Sequence, residues 1–142
     1  MDIRIDVDAV AAMRRLSLMP RRLDYALEAA TEDATLLGHR ELSLYPPQRP
    51  ARGPVPYRRT GTLGRSWFHQ VRRVSGGVVG EVLSNGNIAP YNLRVQSAAH
   101  QAAVHRGVWQ TDVQVAERIQ PQFVRFSEVR VAAATACATR VL

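Results

Sequence analysis

Ser66 and His69, three residues apart, and His100 and His105, five apart, are the nearest this sequence comes to a nucleophile with its base and to a pair of metal ligands. A serine acts as a nucleophile only with a base in hydrogen-bond reach, and a metal needs several converging nitrogen, sulfur or carboxylate donors. In a strand, a spacing of three puts Ser66 and His69 on opposite faces, which argues against their pairing. His100 and His105 lie in a loop-like stretch without a nearby acid or cysteine and read as a polar loop pair. The twelve acids fall mostly at surface spacing in helical patterns, as with Glu28, Glu32 and Asp33, rather than as paired catalytic carboxylates. Cys137 is the single cysteine; set within Ala-Thr-Ala-Cys-Ala-Thr, it reads as a small core residue and allows no intrachain disulfide. Gly76-Gly77 and Gly61-x-x-Gly64 do not match a phosphate loop, and all nineteen basic residues are arginine, so the lysine of such a loop is missing too. No catalytic residue, metal or cofactor is expected, and the chain is read as a protein without enzymatic activity.

Charge points elsewhere. The formal net charge is +7, and residues 39–73 carry eight arginines against one acid, whereas residues 1–38 carry five arginines against seven acids. The cationic stretch overlaps five prolines, Pro46, Pro47, Pro50, Pro54 and Pro56, between Leu44 and Tyr57. Proline at that density prevents a packed element, so residues from about 39 to 57 are expected to form an extended arm. An arginine-rich arm seeks an anionic surface, either the phosphates of a nucleic acid or the acidic faces of neighbouring proteins. Arg49, Arg52, Arg72 and Arg73 are the candidates for that electrostatic contact. Tyr57, Trp67 and Phe68 do not form a base-stacking motif, and no zinc finger, basic zipper or helix-turn-helix pattern is present, so only non-specific contact with DNA is expected.

The elements that must position these residues follow from periodicity. At 142 residues the chain suits a single domain. Ile3, Ile5 and Val7 alternate with Arg4 and Asp6 as in a short strand, and Asp8 suits a helix N-cap. Val10, Met13 and Leu16 recur up to Pro20, and Leu23, Leu27, Ala30, Ala34 and Leu37 up to Gly38. This predicts two helices, or one long kinked helix, capped at Gly38. Beyond the arm, two strands joined by Ser75-Gly76-Gly77 are expected, then an Asn85-Gly86 turn and a third strand or short helix within 88–96. Residues 97–109 read as an ordered loop. A short helix from about Thr111 to Gln120 should stop at Pro121, and a last helix from about Gln122 to Arg140 should present Phe123, Phe126, Val129, Ala133 and Ala136 on one face. The fold class is therefore α+β: an N-terminal helix packed on a small, mainly antiparallel sheet, a proline- and arginine-rich arm, and a C-terminal helix. No apolar run approaches the length of a membrane span, and the start of the chain lacks the pattern of a signal peptide.

The segment Tyr57-Arg58-Arg59-Thr60-Gly61-Thr62-Leu63-Gly64-Arg65-Ser66-Trp67 resembles the Y-x-R-T-G-x-L-x-x-S signature of phage minor tail-component and tail-completion proteins. Ala89-Pro90-Tyr91-Asn92-Leu93-Arg94-Val95-Gln96 resembles their A-x-Y-A-x-Y-V-E/Q segment, with Arg94 standing where the second aromatic falls. His105-Arg106-Gly107-Val108-Trp109-Gln110-Thr111 resembles their H-R-G-R-W-x-T variant, so the likeness extends over most of the chain. It implies a virion protein of the head–tail interface, assembled in the host cytoplasm. As a homo-oligomeric ring, a hexamer, it would join the tail to the DNA-filled head between connector or stopper and tail-tube proteins. Whether the layer is terminator, stopper or completion factor stays open. Arg58, Arg59, Thr60, Gly61, Leu63, Trp67 and Tyr91 are the candidates for interface or loop architecture. The alternative is a small basic nucleic-acid-binding module; a small hydrolase would need Ser66, His69 or His105.

Overall fold

A computed structural model describes residues 9–48, 59–75 and 77–139, with side chains from Pro20 to Ala136. The order is α1 (Ala9–Ser43), α2 (Thr62–Ser66), β1 (Trp67–Val74), β2 (Gly77–Ser84), α3 (Asn92–Gln96), a 3₁₀ turn (Ala103–His105) and α4 (Asp112–Thr139). The fold is α+β, with long N- and C-terminal helices packed on each other and a two-stranded antiparallel sheet lying against α1. The expected strand at residues 3–7, the Asp8 cap, Gly76, Arg49, Arg52, Arg58 and the side chain of Cys137 lie outside the described residues.

The antiparallel pairing runs from Trp67 opposite Ser84 to Val74 opposite Gly77, so each strand shows alternate residues to α1. Trp67, His69, Val71 and Arg73 share the face turned to α1; Phe68, Gln70, Arg72 and Val74 share the outer face. On α1 the buried stripe is Ala26, Ala30, Thr31, Ala34, Thr35 and Leu42, smaller residues than the leucines expected, and Leu27 is exposed. Their size reflects close approach of the hairpin backbone. A Cβ on Gly80 would lie 2.7 Å from Thr31 Cγ2 and 2.8 Å from Thr35 Oγ1, and both threonines are stiff. Gly80→Val is accordingly expected to cost about 1–3 kcal/mol through overpacking. Gly77→Val, where a Cβ meets nothing within 4 Å, serves as the comparison in urea denaturation.

Two boundaries differ from the expectation. The first helix runs through Pro20, as the one-helix alternative had it, but ends at Ser43 instead of Gly38, so the arm begins later than residue 39. Gly38 is a packing glycine: a Cβ there would lie 3.1 Å from Ile119 Cδ1 and 3.3 Å from Val82 Cγ2, where α1, α4 and β2 meet. Likewise α4 passes through Pro121 as one helix instead of stopping there. An interior proline costs about 3 kcal/mol. Packing on both sides of it offsets that cost: Val115 is fully buried before it, and beyond it Arg130 holds Asp33 of α1 at 2.6 Å. Arg118 holds Glu41 at 2.9 Å along the same interface. The side of α4 turned to α1 therefore carries Val115 and Arg130, whereas Val129, expected on the inner face, is 61% exposed. Thr111 and Gln114 start α4 reciprocally, Thr111 Oγ1 accepting from the Gln114 amide (3.2 Å) and Gln114 Oε1 from the Thr111 amide (3.0 Å). In the 88–96 stretch the short helix α3 forms rather than a third strand.

Candidate functional site

Chain direction reverses at Gly61, whose φ of +74° is the left-handed conformation that a side chain disfavours. Thr60 stands before it with its hydroxyl 2.7 Å from that of Thr62, and α2 follows. That single turn drives Leu63 inward, where it is 3% exposed and packs with Ala89 and Val95. Tyr45, from the chain leaving α1, and Trp109 close over this cluster, their rings edge to face at 5.3 Å. Three separated segments thus meet on one side chain: the Arg59–Trp67 turn, the Ala89–Gln96 segment and the loop holding Trp109.

Hydrogen bonds tie the same segments together. Ser66 Oγ donates to the Leu63 carbonyl at 2.7 Å and lies 3.3 Å from Ser84 Oγ, which accepts from Asn92 Nδ2 at 2.7 Å. Trp67 donates its indole N–H to Gln96 Oε1 at 2.9 Å, and Gln96 Nε2 donates to the Leu42 carbonyl at 2.9 Å. Gln101 Nε2 reaches the carbonyls of Val95 (2.8 Å) and Trp109 (3.0 Å), and the Gly64 amide donates to Tyr45 Oη at 2.9 Å. Burying such groups is tolerable only because they are paired, and pairing fixes the backbone course. Beside the knot lies a cavity of about 400 Å³ lined by Trp67, Ser84, Asn92 and Gln96, and Asn92 Oδ1 has no partner among the described residues.

Arg59 closes the base of the arm. Its guanidinium donates to the carbonyls of Pro46 and Pro47, the latter at 3.2 Å, and sits 5.6 Å over the Tyr45 ring. The chain on either side of residues 48–58 is therefore pinned together. Arg72 and Arg73, grouped as electrostatic contacts from the sequence, point to opposite faces. Arg72 lies 3.4 Å from the Glu81 carboxylate, which also accepts from Gln70 at 2.8 Å; Arg72 first and Gln70 second hold the Glu81 carboxyl below its ordinary range. Arg73 binds Glu28 at 2.5 Å and covers the Tyr25 ring at 5.1 Å, and the Glu28 carboxylate raises its pKa further. Tyr91 precedes α3 with its ring 47% exposed.

His69 is directed away from Ser66. Its Nε2 lies 3.1 Å from Glu32 Oε1 and its Nδ1 3.2 Å from Nδ1 of His39, so one of those two Nδ1 atoms must carry the proton. The Ser66 hydroxyl is spent on the Leu63 carbonyl. His100 and His105 stand on the loop after α3, and among the described residues no three His, Cys, Asp or Glu gather as a metal site. Also among them, no helix is long and apolar enough to cross a membrane. Ser84, Tyr45 and Gln101 were not singled out from the sequence, and Gln96 and Asn92 entered only as members of the 89–96 resemblance; each acts through side-chain contacts that no local pattern specifies. No protein-family model, curated protein or solved structure matches this chain.

Proposed function

We propose that this chain is a structural virion protein of the phage head–tail interface, a neck subunit that forms a homo-oligomeric ring joining tail to DNA-filled head. The observation that carries the reading is the convergence of the three segments bearing the family resemblance on Leu63, Trp67 and Gln96. An accidental likeness scattered over three stretches has no reason to assemble into one packed unit. The groups in that unit are engaged in shaping backbone, which suits a protein that works by surface complementarity.

A second feature favours association. Among the described residues the sheet has two strands, and on its outer face Phe68 and Leu83 stand opposite each other, 43% and 36% exposed. Two strands alone are marginal, and this exposed apolar pair offers a surface to a neighbouring protein. Adjacent partners would be the connector or stopper above and the tail tube below, with the arm's arginines facing acidic neighbours or the DNA in the channel. Deleting the gene from its phage or prophage should leave DNA-filled heads and finished tails unjoined in electron micrographs. Normal joined particles would refute the assignment.

The concentration of arginine in residues 39–73 favours a second reading, a free-standing DNA-binding module. In that case the purified protein binds DNA with an affinity that falls steeply as salt rises. The neck reading predicts no appreciable DNA binding by the unassembled chain, partly because Arg59, Arg72 and Arg73 are engaged within the fold.

A further inference from the structure

We propose that the groove between β2 and α4 receives the Ile3–Val7 segment of a second copy of this chain, added as a strand to the free edge of β2. This rests on the ring reading and names the contact that would close the ring. Both β2 and α4 pack on α1, and between them remains an open cleft of about 440 Å³. Ala34 and Gly38 of α1 form its floor, Val82 one wall, and Val115, Ile119 and Phe123 the other. The cleft is therefore mainly apolar and runs beside a strand.

Among the described residues the only strand partner of β2 is β1, and none of them pairs with its second edge. Its sequence, Gly77-Val78-Val79-Gly80-Glu81-Val82-Leu83-Ser84, has no proline and a single charge, few of the usual protections of an exposed edge. A peptide that adds to such an edge needs main-chain groups for the ladder and apolar side chains at alternate positions for the cleft. Ile3-Arg4-Ile5-Asp6-Val7 has that pattern: Ile3, Ile5 and Val7 would enter the cleft and Arg4 and Asp6 would face water.

Reach decides whose segment it is. The cleft meets α1 from Thr31 to Leu42, and α1 begins at Ala9. At 1.5 Å per residue Thr31 lies about 33 Å along the helix from Ala9. Val7 is two residues from Ala9 and Ile3 six, which at full extension allow only about 7 Å and 22 Å. A chain cannot fill its own cleft with this segment, whereas a neighbour can. Segment and cleft are different surfaces, so the contact is head-to-tail, the type that closes into a ring when the rotation allows.

The test uses full-length Ile5→Asp protein, whose own segment can no longer occupy an apolar cleft, titrated with a synthetic peptide of residues 1–8. Saturable shifts of the Val82 and Ile119 methyl resonances, absent with the same peptide carrying Ile5→Asp, are the expected result. No shift, or equal shifts with both peptides, overturns the inference, as would concentration-independent occupation of the cleft in a monomeric wild-type chain. Light scattering separates this from the ring reading. Wild type should assemble and Ile5→Asp fall to 15.8 kDa while its far-UV circular dichroism stays that of the folded protein. A ring that persists in Ile5→Asp refutes strand exchange while leaving the neck assignment standing.

Discussion

Leu63→Ala is expected to destabilise the protein by about 2–5 kcal/mol, the range for removing a buried leucine from a core that only partly collapses. Leu63 is 3% exposed and is the largest aliphatic in a cluster whose other buried members are Ala89 and Val95. Little else is available to fill the void. Tyr45 and Trp109 pack over it, and Tyr45 is held by its Oη accepting from the Gly64 amide, so its ring cannot drop inward without breaking that polar contact. Urea unfolding measures the loss, and the environment of Trp109 makes fluorescence its reporter. A cost under 1 kcal/mol would mean that the three segments do not depend on this side chain.

Gln96→Leu should cost about 2–4 kcal/mol even though it preserves volume, because each buried partner stranded by a substitution costs about 1–3 kcal/mol. Gln96 is 1% exposed and holds two partners from distant parts of the chain, the Trp67 indole N–H and the Leu42 carbonyl. Trp67 is half-buried and regains part of its loss from water, which lowers the total. Leu42 is buried at the end of α1, where its carbonyl has lost the helical partner it would have in mid-helix. Thermal melting of the variant against wild type reads the difference. Retention of wild-type stability would remove the claim that the Trp67 turn and α1 are joined through this amide.

The readable parts of the fold were those with local causes. Period-two alternation and the Ser75-Gly76-Gly77 interruption mark the hairpin, and its pairing from Trp67↔Ser84 to Val74↔Gly77 follows. Gly61 and Leu63 were named as candidates for interface or loop architecture, and in the fold Gly61 takes the left-handed turn while Leu63 is buried. Pro121 misled: it is a strong local stop, yet α4 continues through it, since packing against α1 offsets the missing hydrogen bond, whereas at Pro20 the alternative of one long helix is the one that forms. Gly38 misled in the same way, its absent side chain serving Ile119 and Val82 rather than a helix end. The face of α4 was misread because Arg130 belongs beside Asp33, a pairing across the whole chain that no window contains. Gln96 stood at the E/Q position of a resemblance, but its contacts with Trp67 and Leu42 lay beyond reach for that reason too.

The arm shows the division between composition and contact. Its cationic charge and prolines are plain in the sequence, but that Arg59 pins its base to Pro46 and Pro47 depends on the fold. Arg72 and Arg73 are paired within the fold, Arg72 with Glu81 across the hairpin and Arg73 with Glu28 of α1.

Quantitative mass spectrometry of purified tailed particles tests the assembly role most directly. One closed ring per particle predicts this 15.8 kDa polypeptide in about six copies, released together with neck components when heads and tails are separated. Infectious particles free of the polypeptide would contradict it.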